Sequence, residues 1–281
     1  MAPLIAIPMP HSTDREYGER AIPQYERALR LAGGEPVRIP LDQTLAAVKQ
    51  WIAICHGVLL PGSNADVDPT KFRQDRSQHT AAPDSRREDV DFLLLDEAYA
   101  QRKPVLGICY GLQSLNVYRA GSLIQHIPDF LPDATRGKVN HEAGRKVAVA
   151  HTAAIERDSL LAEVVGGDKR PRLSAESRAG REGRGLSRVN EHAPHDRASA
   201  LEANALILPV NSSHHQSADR IGNDLRIVAH CPDDGIVEAM EGTSSDHFVL
   251  AVQWHPERSV DDDAASRNIF QALIEAAQKC R

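Results

Sequence analysis

The strongest constraint on the fold lies in the first 121 residues, where short apolar runs alternate with longer amphipathic stretches. Residues 4–8, 37–40, 57–61 and 104–109 are too short for helices and read as strands, most of them without a polar face, as expected where both sides of a sheet are covered. Residues 17–32, 45–54, 85–101 and 111–120 fill the intervals with helical patterns. Gly33-Gly34 and Gly121 end the first and last of these, and Ser85-x-x-Glu88 has the spacing of a capping box. Strand–helix–strand units of this kind build a parallel sheet with helices on its faces. Near the end of the chain Ala265, Ile269, Ala272, Leu273 and Ala276 share one face of a closing helix.

The middle of the chain reads differently. Residues 146–151, 205–210, 225–229 and 248–253 alternate in polarity, which predicts strands of a second, partly antiparallel layer. Residues 174–200 hold five arginines, three glycines and two histidines, with only Leu186 and Val189 as large aliphatics. Such a stretch buries too little surface to offset its ordering entropy and is predicted to be a mobile insertion. With no repeat and no linker, residues 1–281 are expected to form a single domain.

Composition removes several classes of function. Asp plus Glu outnumber Lys plus Arg by 39 to 33, a net charge of −6, which argues against a nucleic-acid partner. The longest apolar runs fall far short of the roughly 20 residues needed to span a membrane. Residues 1–10 lack the basic head of a signal peptide. Cys55, Cys109, Cys231 and Cys280 are widely spaced with no CxxC pair, so neither a zinc ribbon nor a disulfide scaffold is expected, and a reducing cytoplasm is the default.

The sharpest local signal is Gly107-Ile-Cys109-Tyr-Gly111, between a predicted strand and a predicted helix. A nucleophile flanked by small residues at that junction forms a tight elbow, with its side chain above the carboxyl end of the sheet. The helix N-terminus favours a thiolate, and first-turn amides can cradle an oxyanion. A buried structural cysteine is the competing reading. Gln253-Trp-His255-Pro-Glu257 supplies a strand-end histidine with a carboxylate two residues on, the remaining parts of a cysteine hydrolase; an exposed His-Pro turn is its plain alternative.

Together, residues 104–113 and 253–257 resemble the class I glutamine amidotransferases. Pro61-Gly-Ser-Asn-Ala-Asp-Val-Asp-Pro69 and Asn211-Ser-Ser-His-His-Gln216 resemble the γ-glutamyl-γ-aminobutyrate hydrolase branch of that group. The resemblance runs from Leu4 to the closing helix, leaving out the arginine-rich stretch. It implies a three-layer, flavodoxin-like α/β sandwich with a mostly parallel central sheet. It further implies a thioester mechanism in which Cys109 attacks a γ-glutamyl amide, His255 shuttles the proton and Glu257 orients it. The oxyanion hole falls to backbone amides of Tyr110, Gly62 and Ser63. Gln113, His214, His215 and Gln216 are carried over as contacts to the glutamyl moiety, although packing roles remain open for the two histidines and Gln216. This branch often has Arg after the nucleophile, where this chain has Tyr110, so the γ-aminobutyrate half of the substrate is not implied.

The other candidates point to simpler roles. Ser12-Thr-Asp14 is expected in a polar surface loop, and His192 and His195 in the arginine-rich stretch are expected to be solvated. Asp66 and Asp68 have no companion His or Glu at ligand spacing, so no metal is expected. There is no glycine-rich phosphate loop, and no cofactor is expected. Three functions fit the sequence: a free-standing γ-glutamyl hydrolase with a small-molecule substrate, an amidotransferase subunit supplying ammonia to a synthetase, or a non-catalytic binding protein on the same fold. A homodimer is the one self-association left open.

Overall fold

The computed structural model describes residues 1–167 and 205–280. The predicted insertion at 174–200, with His192 and His195, lies outside the described residues.

The leading half of the chain follows its sequence pattern closely. Strands β1 (Leu4–Pro8), β2 (Glu35–Ile39), β3 (Gly57–Leu60) and β4 (Val105–Ile108) alternate with helices α1 (Arg15–Leu31), α2 (Leu45–Ile54), α3 (Ser85–Gln101) and α4 (Tyr110–Tyr118). The cap of α3 departs from the expectation. Asp84, one residue earlier, accepts the Arg87 amide at 3.1 Å, while Glu88 accepts the Asp68 amide at 2.6 Å instead of closing a capping box. An ionised carboxylate at the cap position is a stronger acceptor there than the Ser85 hydroxyl.

Beyond α4 come β5 (Leu123–Ile124), α5 (Ile127–Phe130), β6 (His151–Glu156), α6 (Leu160–Gly166), β7 (Ala205–Val210), β8 (Ser217–Ala218), β9 (Leu225–His230), β10 (Val237–Gly242), β11 (Val249–Val252) and α7 (Ala264–Lys279). Nine strands form one sheet in the order β2-β1-β3-β4-β11-β10-β9-β6-β7. The pairs from β2 to β11 are parallel, and those from β11 to β7 antiparallel. The antiparallel strands therefore extend the same sheet rather than forming a second layer. The strand expected at 146–151 begins at its far end: residues 151–156 pair with β7 and β9, whereas Val147 and Val149 are about half exposed.

Alternation along the central strands divides the core between two faces. Ile5, Ile7, Leu59, Leu106, Ile108, Leu250 and Val252 face one cluster with residues of α1 and α7. Ala6, Val58, Leu60, Val105, Val249 and Ala251 face the other, with residues of α2, α3 and α4. The result is a three-layer sandwich. No helix among the described residues is long and apolar enough to cross a membrane.

Candidate active site

Strand pairing alone brings two of the predicted groups together. β4 and β11 lie side by side with Ile108 opposite Val252, and the Cys109 amide donates to the Val252 carbonyl at 2.8 Å. Cys109 follows the end of one strand and His255 comes three residues after the end of its neighbour. Both sit at the carboxyl edge of the parallel strands, where open α/β sheets bind ligands.

The elbow is as tight as its glycines suggest. Cys109 adopts φ 53° and ψ −107°, a conformation that costs an L-residue of order 1–3 kcal/mol. A Cβ on Gly111 would come within 2.2 Å of the Leu60 carbonyl oxygen, and one on Gly107 within 2.8 Å of the Gly111 oxygen. Helix α4 thus rests its backbone directly on β3. The elbow leaves Cys109 at the start of α4, 6% exposed.

His255 Nδ1 lies 2.7 Å from Glu257 Oε1, and its ring and Cys109 both lie against Gly62. Burial disfavours charge on this imidazole, but the Glu257 carboxylate and then Cys109 outweigh burial and lift its pKa from 6.5 to about 9. Burial likewise opposes the charge on Glu257, and His255 holds its carboxyl below the usual range. The backbone of His255 is gripped from both sides: Asn211 Oδ1 accepts its amide and Asn211 Nδ2 donates to its carbonyl, each at 2.9 Å. Asn211 heads the Asn-Ser-Ser-His-His-Gln motif, yet the sequence alone assigned it no role.

A cavity of about 410 Å³ opens over Cys109, lined by Ser63, Asp66, Gln113, Glu142 and Arg145 among others. His214, His215 and Gln216 form part of its wall. Gln113 Nε2 reaches the Gln216 carbonyl at 3.2 Å. His215 Nε2 meets Asp66 at 3.0 Å, and that hydrogen bond raises its pKa. The Tyr110 side chain makes a buried contact with the Arg87 guanidinium, 4.9 Å from its ring. The Gly62 amide, expected in the oxyanion hole, instead donates to the Tyr25 hydroxyl at 3.0 Å, and Ser63 Oγ accepts the Ala65 amide at 3.1 Å. Arg87 fixes the loop from beneath by donating to the Pro61 carbonyl at 2.7 Å while paired with Asp91. Tyr25 and Arg87 lie on helices whose sequence gave no hint of the site.

Elsewhere the candidates take structural roles. Asp14 caps α1 and Ser12 binds Asp84. The four cysteines are free; Cys55 and Cys231 are buried, and burial raises both thiol pKa values. One cluster was not anticipated. His141, His151, His214 and Glu238 offer ligand atoms that all lie within 4.8 Å of one another. They come from well-separated stretches of chain, so no spacing along the sequence marks them as ligands.

Comparison with known proteins agrees with this geometry. The Peptidase C26 family profile matches residues 3–177 and 188–257. A glutamine amidotransferase-like protein of Rickettsia prowazekii is 30% identical over 260 residues, 90% of this chain and 88% of that one. The γ-glutamyl-γ-aminobutyrate hydrolase PuuD of Escherichia coli is 28% identical over 261 residues, 91% of this chain and 85% of that one. Among solved structures, PurLQS from Thermotoga maritima aligns over 98% of this chain and 99% of its own, with a TM-score of 0.55 at 15% identity. The glutaminase domain of Trypanosoma brucei CTPS, with bound acivicin, aligns over 99% and 94% with a TM-score of 0.55 at 16% identity. Those two likenesses carry the fold, and the profile match carries the family. The chain belongs to the Peptidase C26 family and is a glutamine amidotransferase-type hydrolase of carbon–nitrogen amide bonds.

Proposed function

We propose that this protein hydrolyses the γ-amide bond of a small γ-glutamyl compound, with Cys109 as nucleophile, His255 as proton shuttle and Glu257 as the group that orients it. The observation that carries the reading is the buried chain of contacts from Cys109 through His255 to Glu257 at the floor of a polar cavity. A raised imidazole pKa suits His255 to give its proton to the departing nitrogen.

The steps follow from those contacts. The Cys109 thiolate attacks the γ-carbonyl carbon, and the oxygen takes the negative charge, facing the Tyr110 and Ser63 amides, since the Gly62 amide is held by the Tyr25 hydroxyl. His255 gives its proton to the departing nitrogen as the carbon–nitrogen bond breaks, leaving a γ-glutamyl thioester. Neutral His255 then takes a proton from water, whose oxygen attacks the thioester. Release of the γ-carboxylic acid returns Cys109 as thiolate and His255 as imidazolium. At the cavity wall Arg145 faces the same space as Glu142 and Asp66, opposite charges suited to the α-carboxylate and α-ammonium of a glutamyl group. Gln113 and His215 complete the glutamyl side, and His214 and Gln216 form the wall behind them. We place the protein in the cytoplasm, where four free thiols stay reduced.

The names of relatives such as the Rickettsia protein keep a second reading in view, an amidotransferase that hands ammonia to a synthetase. One assay separates the two. Purified protein is incubated alone with glutamine, γ-glutamyl-p-nitroanilide and a panel of γ-glutamyl amides, with mass spectrometry for a γ-glutamyl adduct on Cys109. Hydrolysis by the wild type and none by Cys109→Ala supports the hydrolase. Turnover that requires a second protein favours the amidotransferase, and near-normal turnover by Cys109→Ala removes the mechanism.

A further inference from the structure

Beside the cavity, behind His214, four buried side chains converge on one point. Glu238 is 0% exposed, and the side chains of His141, His151 and His214 are exposed by 3%, 3% and 1%. Glu238 Oε1 lies 3.2 Å from His141 Nδ1, 3.3 Å from His151 Nε2 and 3.4 Å from His214 Nε2. None of these four atoms has a well-directed hydrogen-bond partner, although each is sealed from water. Buried polar atoms are ordinarily satisfied, so four such atoms facing one another call for an explanation.

The far side of each ring supplies it. His141 Nε2 meets the Asp234 carboxylate at 2.9 Å, His151 Nδ1 the Thr152 carbonyl at 3.0 Å, and His214 Nδ1 the Gln216 carbonyl at 2.8 Å. All three partners only accept, so each outer nitrogen must carry the proton. A neutral imidazole then turns a bare lone pair inward, toward the carboxylate oxygen of Glu238. The other oxygen of that carboxylate accepts the Ser212 hydroxyl at 3.1 Å. Lone pairs cannot hold one another. Either all three rings are protonated, which crowds three cations around a single oxygen in a dry interior, or a cation sits between them.

We propose that His141, His151, His214 and Glu238 form a closed, four-ligand site for a divalent zinc ion. Zinc bonds of about 2.0–2.1 Å in a tetrahedron hold neighbouring ligand atoms about 3.3 Å apart, the spacing found around Glu238 Oε1. Outer hydrogen bonds from each ring to a carbonyl or carboxylate are the supports that metal-bound histidines use. With Zn²⁺ the charges of Glu238 and Asp234 are balanced, whereas three imidazolium rings would leave an excess of one positive charge. Four protein ligands leave no open position, so the site is structural. It joins the residue-141 loop, the start of β6, the 211–216 segment and β10, and that segment carries the Asn211 clamp on His255.

The test begins with full-length protein produced without a polyhistidine tag in zinc-supplemented medium. Mass-spectrometric metal analysis is expected to find about one zinc per chain, and under about one-tenth as much in His151→Ala and Glu238→Gln. Removing zinc with a chelator should lower the melting temperature of the wild type, and Zn²⁺ alone should restore it. Co²⁺ replacement should give the visible bands of a tetrahedral site, absent from both variants. If the variants fail to fold, the zinc content, cobalt spectrum and zinc-dependent melting of the wild type decide alone. Folded wild-type protein that retains no zinc and binds no Co²⁺ overturns the proposal in favour of a protonated histidine network. Zinc that stays bound in both folded variants overturns the assignment to these residues.

Discussion

Strands β3, β4 and β11 present aliphatic side chains to both faces of the sheet, whereas their antiparallel neighbour β10 carries Glu238 and Glu241, exposed by 0% and 2%. The parallel strands are held by packing that is indifferent to protonation, and the buried Arg87–Asp91 pair of that half lies on α3, off the strands. The antiparallel half buries charge and must balance each one: Glu241 against Arg226 at 2.7 Å, Glu238 against three histidines. The site sits where the halves meet, with its nucleophile on an apolar strand and the support for its imidazole coming from the polar side. A rigid base for a strained elbow is well made from close-packed aliphatics, which have little freedom to shift. Fixing one ring in direction and protonation needs hydrogen bonds instead.

The largest effect should come from the junction itself. Cys109→Ala and His255→Ala are each expected to lower turnover at least about 10⁴-fold, and the double variant should be no worse than either. Additive losses would show that the two residues act separately. Glu257→Gln should be milder, about 10²-fold, since it spoils the orientation of the proton shuttle without removing it.

Next in size is a test of the apolar half. Leu106, fully buried on β4, should cost about 2–5 kcal/mol on change to alanine, equally at pH 6 and pH 9 in urea unfolding. A cost that changes with pH would blur the contrast between the halves.

Asn211→Ala should act from the polar half. Losing two hydrogen bonds to the His255 backbone is expected to cost about 1–3 kcal/mol of transition-state stabilisation, seen as a fall in kcat with KM nearly constant. Asn211→Asp should rescue little, because it keeps the acceptor for the His255 amide and loses the donor to its carbonyl. A rise in KM alone would place Asn211 at the substrate instead.

The smallest effect is electrostatic. The folded-state pKa of His255 is raised from 6.5 to about 9, so the stability it adds is complete below about pH 6.5 and lost as pH rises through about 9. The melting-temperature gap between wild type and His255→Gln should therefore narrow across that interval. A gap that widens with pH contradicts the raised pKa.

The same contrast explains what could be read in advance. β1, β3, β4, α2 and the elbow announce themselves through local pattern: apolar runs, glycine punctuation and a nucleophile between them. β10 was missed because Glu238 and Glu241 break the apolar rhythm that marks a buried strand, and only partners distant in sequence make them tolerable. β6 begins later than the pattern suggests because Ala153, Ala154 and Ile155 are consecutive and all buried, so they leave no alternation to find. The motif around Asn211 was visible as a motif. Its grip on a residue 44 positions away depends on the sheet order, which no local pattern specifies.

Segment 211–216 has a bearing on redesign. Asn211 holds His255, Ser212 and His214 hold Glu238, His215 holds Asp66, and Gln216 binds the Gln125 carbonyl. Nearly every position is spoken for, so an inserted or deleted residue would drag the imidazole with it. New substrate preferences are better sought at the exposed rim beside it, where the Glu142 and Arg145 side chains are 52% and 59% exposed and pair with each other. The buried side of this cavity keeps time for the chemistry, and its exposed rim is where selectivity is free to drift.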